Sequence, residues 1–117
     1  MALPYPQDER EYAFEISPSA GPDGAVRLRV RGELDMATAE AFEPALERAI
    51  DSTDGPVVVD FAQCRFVDSI GVRALIRGAR RLAEAGRVMR VVGAHAQVCD
   101  LFRTIGLEQA TAIEFGD

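Results

Sequence analysis

Residues 26–31 alternate between apolar and charged side chains more regularly than any other part of the chain. Valine or leucine at positions 26, 28 and 30 alternates with arginine at positions 27, 29 and 31. Successive side chains of a β-strand point to opposite faces, so the pattern predicts a strand with one buried and one solvated face. Such a strand needs a packed layer on one side only.

A second alternating segment precedes this strand. Residues 11–17 place Tyr12, Phe14 and Ile16 on one side, and residues 18–24 are dense in proline, glycine and other turn formers. Together they predict an antiparallel hairpin. Residues 1–10 carry two prolines and several charges, and are expected to be a flexible lead-in to a single domain over residues 11–117.

The rest of the chain alternates between helical and strand-like patterns. Apolar residues at helical spacing predict one helix through residue 52, one from residue 72 to a cap glycine at 86, and one from residue 98 to near residue 106. Apolar runs at residues 57–61, 88–92 and 111–115 predict strands, and residues 62–65 a loop. Asp35 or Thr38 suits the N-cap of the first helix, and Pro44 predicts that this helix is bent or irregular.

The resulting order, β-β-α-β-α-β-α-β, predicts the fold class. Strands separated by helices pair in parallel through right-handed crossovers, and the opening hairpin adds an antiparallel pair. We therefore expect an α/β fold with a mixed five-stranded sheet and three main amphipathic helices.

Composition and charge exclude several classes of function. The net charge is -6, which argues against direct binding to nucleic acid or to an anionic membrane. All 13 basic residues are arginine, so a phosphate-loop lysine or a Schiff-base lysine is impossible. The sequence has no signal-peptide pattern and no apolar run long enough to cross a membrane, which predicts a cytoplasmic protein. Cys64 and Cys99 lack the spacing of a metal or redox site, so we expect both thiols to be reduced.

Asp68 and Ser69 stand directly before the second helical pattern. Either side chain suits the N-cap, and a plain cap is worth about 1 kcal/mol. The alternative is a serine displayed at a helix start that favours anions, a position suited to carrying phosphate. Ile70 either points inward or is an exposed partner contact. Asp35 either caps the first helix or belongs to a partner-binding loop near residues 68–69.

Ser69 could alternatively be the catalytic nucleophile of a hydrolase. His95, with Ser69 and Asp60 or Asp68, has the residue types of a catalytic triad. The G-x-S-x-G elbow is missing, however, because Val67 occupies the position of its first glycine. One histidine and two distant cysteines also give no convincing metal spacing. We therefore expect no enzyme activity, metal or cofactor, and a polar role for His95 at the start of the third helix.

Arginines line part of the second predicted helix. Arg73, Arg77 and Arg80 share one stripe, and Arg81 lies beside it. A solvated face is the simple interpretation, and an interaction face for an acidic partner is the alternative.

Residues 57–72, with the sequence VVVDFAQCRFVDSIGV, resemble the STAS domain family and, within it, the bacterial anti-sigma factor antagonists. The family signature is an apolar strand, a short loop, an aromatic, and an apolar residue followed by Asp-Ser-Ser-Gly and a helix. The matching positions are Phe66, Val67, Asp68, Ser69 and Gly71. Residues 32–35 and 98–107 also agree with the family. Ile70 departs from it, since many members have a second serine there.

The resemblance implies a phosphorylation switch at Ser69. An anti-sigma factor that is also an ATP-dependent serine kinase would phosphorylate Ser69, and a metal-dependent serine phosphatase would reverse this. The unphosphorylated chain would bind the anti-sigma factor and free the sigma factor. The partner-binding residues carried over are Asp35, Met36, Asp68, Ile70, Gly71, Val72 and Arg73.

Two alternatives stay open at this point. STAS domains also serve as scaffolds in stress-sensing assemblies and as regulatory modules of transporters, and direct nucleotide binding is a further function to test. The Asp-Ser motif favours the antagonist.

Overall fold

The computed structural model describes residues 13–105 and 113–116. The strands are β1 (Glu15–Ala20), β2 (Val26–Leu34), β3 (Val57–Val67), β4 (Met89–Val92) and β5 (Ile113–Gly116). The helices are α1 (Met36–Asp51), α2 (Ser69–Glu84) and α3 (Ala96–Ile105), and a short 3-10 turn, Pro22–Gly24, joins β1 to β2. This order confirms the predicted one. The proposed lead-in, residues 1–10, lies outside the described residues, as do residues 11, 12, 111 and 112 of the predicted outer strands.

The five strands form one mixed sheet in which neighbours follow each other in the chain. β1 is antiparallel to β2, and β2 to β5 are parallel. Because parallel crossovers are right-handed, three successive crossovers in the same direction place all three helices on one face of the sheet. This arrangement is the predicted α/β fold. The described helices cover one face of the sheet, and we call the opposite face the open face.

The alternation in β2 follows from this two-layer arrangement. Val26, Leu28 and Val30 face the helices and are buried, whereas Arg27 and Arg29 lie on the open face. Large apolar side chains fill the layer between sheet and helices: Phe42, Leu46 and Ile50 from α1, Leu75 and Leu82 from α2, and Phe102 from α3. Full burial of one such side chain contributes about 1.5–3 kcal/mol, so this layer supplies the main driving force for folding.

The first strand differs from the predicted one. It runs from Glu15 to Ala20 and includes Pro18, which the sequence assigned to the turn. Pro18 pairs with Leu28 of β2, and β1 is the edge of the sheet. An edge strand needs backbone hydrogen bonds on one side only, so it accommodates a proline that lacks an N–H.

The third strand is longer than predicted. The sequence indicated a strand over residues 57–61 and a loop over 62–65, but β3 continues to Val67. Its pairing with β2 shifts register twice, so burial changes from alternation to every third residue, at Phe61, Cys64 and Val67. Such irregular pairing conceals a strand from a search for period-two alternation.

The thiols of Cys64 and Cys99 are both free. Cys64 is buried, and this burial raises the pKa of the Cys64 thiol.

Both predicted cap residues contribute to the start of α1. Asp35 is the N-cap, and the Thr38 hydroxyl accepts the Asp35 backbone N–H at 2.9 Å, which completes a capping box. Pro44 lies inside α1 without interrupting it. The proline is exposed, so water can reach the backbone on the side where its N–H is missing.

Gly86 is the cap glycine beyond the end of α2, as predicted from the sequence. This glycine has a φ of 70° and follows the C-cap residue Ala85. The N–H of Arg87 donates to the carbonyl oxygen of Leu82 at 2.8 Å, which closes a Schellman motif.

Among the described helices, none is long and apolar enough to span a membrane.

Candidate functional site

Two neighbouring parallel strands, β2 and β3, end side by side, and a helix begins two residues after the end of each strand. Leu34 and Val67 are paired residues, and the N–H of Asp68 donates to the carbonyl oxygen of Leu34 at 3.0 Å. Asp35 and Asp68 directly follow these two strands and are the N-caps of α1 and α2. The two loops whose adjacency the sequence left open are therefore neighbours at one edge of the sheet.

The carboxylate of Asp68 organises the start of α2. One of its oxygens, Oδ1, accepts the N–H of Ile70 at 2.9 Å and the N–H of Gly71 at 3.0 Å. Asp35 accepts the equivalent pair of N–H groups at the start of α1. Each carboxylate lies at the positive end of its helix, where an anion is stabilised.

Ser69 is the first residue of α2 and is exposed. The sequence allowed either Asp68 or Ser69 as the N-cap, and the structure places Asp68 there. Within residues 13–105 and 113–116, the Ser69 hydroxyl has no hydrogen-bond partner. The hydroxyl is thus open to solvent and to any macromolecule that docks on this edge.

Gly71 and Val72, both predicted to contact a partner, face the core instead. Val72 is fully buried, and a β-carbon at Gly71 would stand 2.6 Å from Cγ of Leu34. α2 approaches the end of β2 so closely that only glycine fits between them. Gly71 and Val72 pack the start of α2 against the core and do not form part of the exposed surface.

Apolar side chains are exposed at the same edge. Met36, the first residue of α1, is 73% exposed, and Phe66, near the end of β3, is 40% exposed. Ile70 is partly buried, and Arg73 is exposed one helical turn beyond Ser69. We call the set Met36, Phe66, Ser69, Ile70 and Arg73 the cap surface. Met36 and Phe66 belong to the two segments that meet where β2 and β3 end.

The partner-binding residues predicted from the sequence do not include Phe66, although Phe66 counts in the family signature and is exposed. The available signal was its type and position: a large aromatic residue two places before the capping Asp68. Its register partner on β2 is Glu33, which is also exposed.

The side chains of the hypothetical triad do not come together. Asp60 is 6% exposed and lies on the open face of the sheet, where its carboxylate pairs with Arg27 at 2.8 Å. In the described part of the chain, neither His95 nor an aspartate hydrogen-bonds to the Ser69 hydroxyl. The backbone carbonyl of His95 accepts the first N–H groups of α3, as expected for a residue at the start of that helix. The described residues also contain no group of three or more potential metal ligands.

The Asp60 carboxylate has an unusual environment. Burial alone raises its pKa, but the N–H of Ala62 and the guanidinium groups of Arg27 and Arg29 outweigh this effect and hold the pKa below its ordinary value. The ionised form of Asp60 is therefore part of the folded structure, and this group anchors arginines on the open face.

Comparison with known proteins identifies relatives of this fold. The family model described as "Mlab, STAS domain" matches residues 19–114. No curated protein matches the sequence at a significant level. The chain is similar to the solved structure of an anti-sigma factor antagonist from Mycobacterium paratuberculosis, with a TM-score of 0.75, 24% identity, and coverage of 87% of this chain and 86% of the other.

Two further structures show how widely the fold is used. The phosphorylated form of the Bacillus cell fate determinant SpoIIAA has a TM-score of 0.64 and 24% identity, over 90% of this chain and 92% of the other. The murine Solute Carrier 26 family member A9 anion transporter has a TM-score of 0.64 and 22% identity, over 80% of this chain but 16% of the transporter. At these identities the likeness establishes the fold alone.

Proposed function

The chain belongs to the STAS domain family, and from this premise we propose that it is an anti-sigma factor antagonist controlled by phosphorylation of Ser69. In the proposed cycle the unphosphorylated chain binds an anti-sigma factor that is also a serine kinase, and the sigma factor is released. A serine phosphatase that acts on phosphorylated Ser69 restores the binding form. The observation that carries the proposal is the exposed Ser69 hydroxyl at the first residue of α2, within the cap surface.

The cap surface has the composition of a protein-docking site. Met36 and Phe66 expose large apolar area at the same end of the sheet as the neutral Ser69 hydroxyl. Burial of such side chains against a partner contributes most of the affinity in typical interfaces. Asp35 and Asp68 fix the backbone beneath them, so the surface is formed before the partner arrives.

A phosphate on Ser69 would be tolerated by the fold itself. Ser69 lies at the positive end of α2, and Arg73 is exposed at position i+4 without an ion pair among the described residues. Both features offset the repulsion between the phosphate and the Asp68 carboxylate. The switch therefore acts on the partner, because a bulky dianion replaces a neutral hydroxyl in the interface.

The chain supplies none of the phosphoryl-transfer groups. It has no lysine and no glycine-rich phosphate loop, so ATP and Mg²⁺ would be bound by the kinase. In this proposal the chain is a non-enzymatic cytoplasmic substrate and binding partner, with no direct contact to nucleic acid or membrane.

The test uses the purified chain with its candidate anti-sigma factor kinase and ATP. We expect one phosphate per chain on the original sequence and none on Ser69→Ala. Ser19→Ala, at an exposed serine of β1, is the matched control and should accept phosphate normally. Incorporation on Ser69→Ala would refute the assignment of the site, and ATP alone should label no variant.

A transport-regulating STAS module is the second candidate. The observation in its favour is the likeness to part of an anion transporter. Co-purification of the tagged chain with a membrane transporter, unaffected by Ser69→Asp, would favour this function over the antagonist.

A further inference from the structure

A cavity of about 500 Å³ lies between β1 and α1 and shares no residue with the cap surface. It arises beside the edge strand β1, because the three helices follow β2, β3 and β4 and α1 is the helix that packs against β1. Residues 13–105 and 113–116 therefore cover the helix-facing side of β1 incompletely.

The walls of this cavity are apolar. α1 contributes Ala41, Ala45 and Ala49, whose small side chains leave the space open, and β1 contributes Ile16 and Pro18 from the opposite side. The remaining apolar lining is Phe14, Val26 and Leu28. Because the walls offer few hydrogen bonds, they disfavour a polar body such as a sugar or a nucleotide.

One charge stands out against these walls. Of the described residues that line the cavity, Arg48 and Ser52 are polar, and the Ser52 hydroxyl is already bonded to the carbonyl oxygen of Ala49 at 2.7 Å. Arg48 makes no ion pair or hydrogen bond with the described part of the chain, unlike Arg77 and Arg81, which pair with acidic residues of α1. Its guanidinium is available to a ligand.

We propose that this cavity binds a fatty-acid-type carboxylate, with the alkyl chain between β1 and α1 and the carboxylate at Arg48. The volume lies within the range of small-molecule sites, and an apolar cavity with one free cation complements a ligand with an apolar body and one anionic end. This site is independent of the switch at Ser69.

Chain length and head group give separate readouts of the two parts of the site. Each methylene buried in the cavity strengthens binding about fourfold, so dodecanoate, with two more methylenes, should bind the 117-residue chain roughly 15-fold more tightly than decanoate. The Arg48 guanidinium should favour dodecanoate over uncharged dodecanol by about fivefold. Isothermal titration calorimetry below the micelle concentration measures both preferences.

Three variants test the placement. Arg48→Gln should abolish the preference for carboxylate over alcohol, whereas Arg80→Gln, at an exposed arginine of α2 with no ion pair among the described residues, should retain it. Ala45→Phe fills the cavity and should weaken the binding of both ligands at least tenfold. Circular dichroism and thermal melting establish that each variant is folded.

The absence of saturable dodecanoate binding to the 117-residue chain would overturn the proposal, including the case in which residues 1–12 compete for the cavity. Binding that Arg48→Gln and Ala45→Phe both leave unchanged would also overturn it, since the ligand would then lie elsewhere on the protein.

Discussion

Gly71 lies so close to Leu34 that a β-carbon at position 71 would stand 2.6 Å from the leucine Cγ. The contact joins the first turn of α2 to the last residue of β2, and the hydrogen bond from Asp68 to Leu34 lies beside it. Ser69 is held between these two attachments. The backbone under the exposed hydroxyl is thus positioned by core packing and not by the hydroxyl itself.

Gly71→Ala should destabilise the protein by about 1–3 kcal/mol, because the added methyl group overpacks a site that the Leu34 side chain already fills. Urea unfolding measures the change. Leu34→Ala provides the control through a double-mutant cycle: the double variant should lose less stability than the sum of the two single changes. Additive losses would show that the two residues do not share the same space.

Asp68→Ala should lower the free energy of unfolding by about 1 kcal/mol, since two N–H groups at the start of α2 lose their acceptor. Ser69→Ala should change it by less than about 0.5 kcal/mol, because no described residue bonds to the hydroxyl. Chemical denaturation of both variants compares them directly. A larger loss for Ser69→Ala would identify Ser69, and not Asp68, as the structural cap.

Asp60→Asn should make stability less sensitive to acid. The pKa of Asp60 is lower in the folded state than its ordinary value, so its contribution to stability is fully present above the ordinary value and is lost as the pH falls through the folded pKa. The variant should lose about 1–2 kcal/mol at neutral pH and show a shallower decline below pH 4.

Asp54→Asn is the matched control for Asp60→Asn, because Asp54 is exposed and has no ion pair within the described residues. It should leave the acid limb of the stability curve unchanged. Thermal melting between pH 2 and pH 7 provides the data, and an unchanged acid limb for Asp60→Asn would contradict the ion-pair account.

Ser69→Asp should weaken binding to the anti-sigma factor about 5- to 150-fold, the usual size of a regulatory coupling. The introduced carboxylate places negative charge where the interface accommodates a hydroxyl, while Ser69→Ala should keep near-normal affinity. Calorimetric titration measures affinity, and melting temperature serves as the check on folding. If Ser69→Asp unfolds the protein, the effect lies in the fold and not in the partner surface.

Phe66→Ala should reduce partner affinity more than tenfold while changing stability by less than about 0.5 kcal/mol. Ile105→Ala is a matched control, because Ile105 is 41% exposed against 40% for Phe66 but lies at the end of α3. Its affinity for the partner should be unchanged. Equal losses in the two variants would place the interface somewhere other than the cap surface.

The sequence by itself determined the elements whose signals are local. Alternation over residues 26–31 predicted a strand with one buried face, and helical spacing after Asp35 and Asp68 predicted two capped helices. The glycine at position 86 predicted the end of α2. In each case the backbone conformation depends on residues a few positions apart, so a short stretch of sequence carries the information.

Tertiary structure alone decided which of these elements meet. Register shifts between β2 and β3 extended β3 through the predicted loop and aligned Leu34 with Val67, and this pairing made Asp35 and Asp68 neighbours. The burial of Val72 and the opening between β1 and α1 likewise depend on contacts between distant segments. Periodicity shows which side of an element is apolar, but strand pairing and helix packing choose the element that covers it.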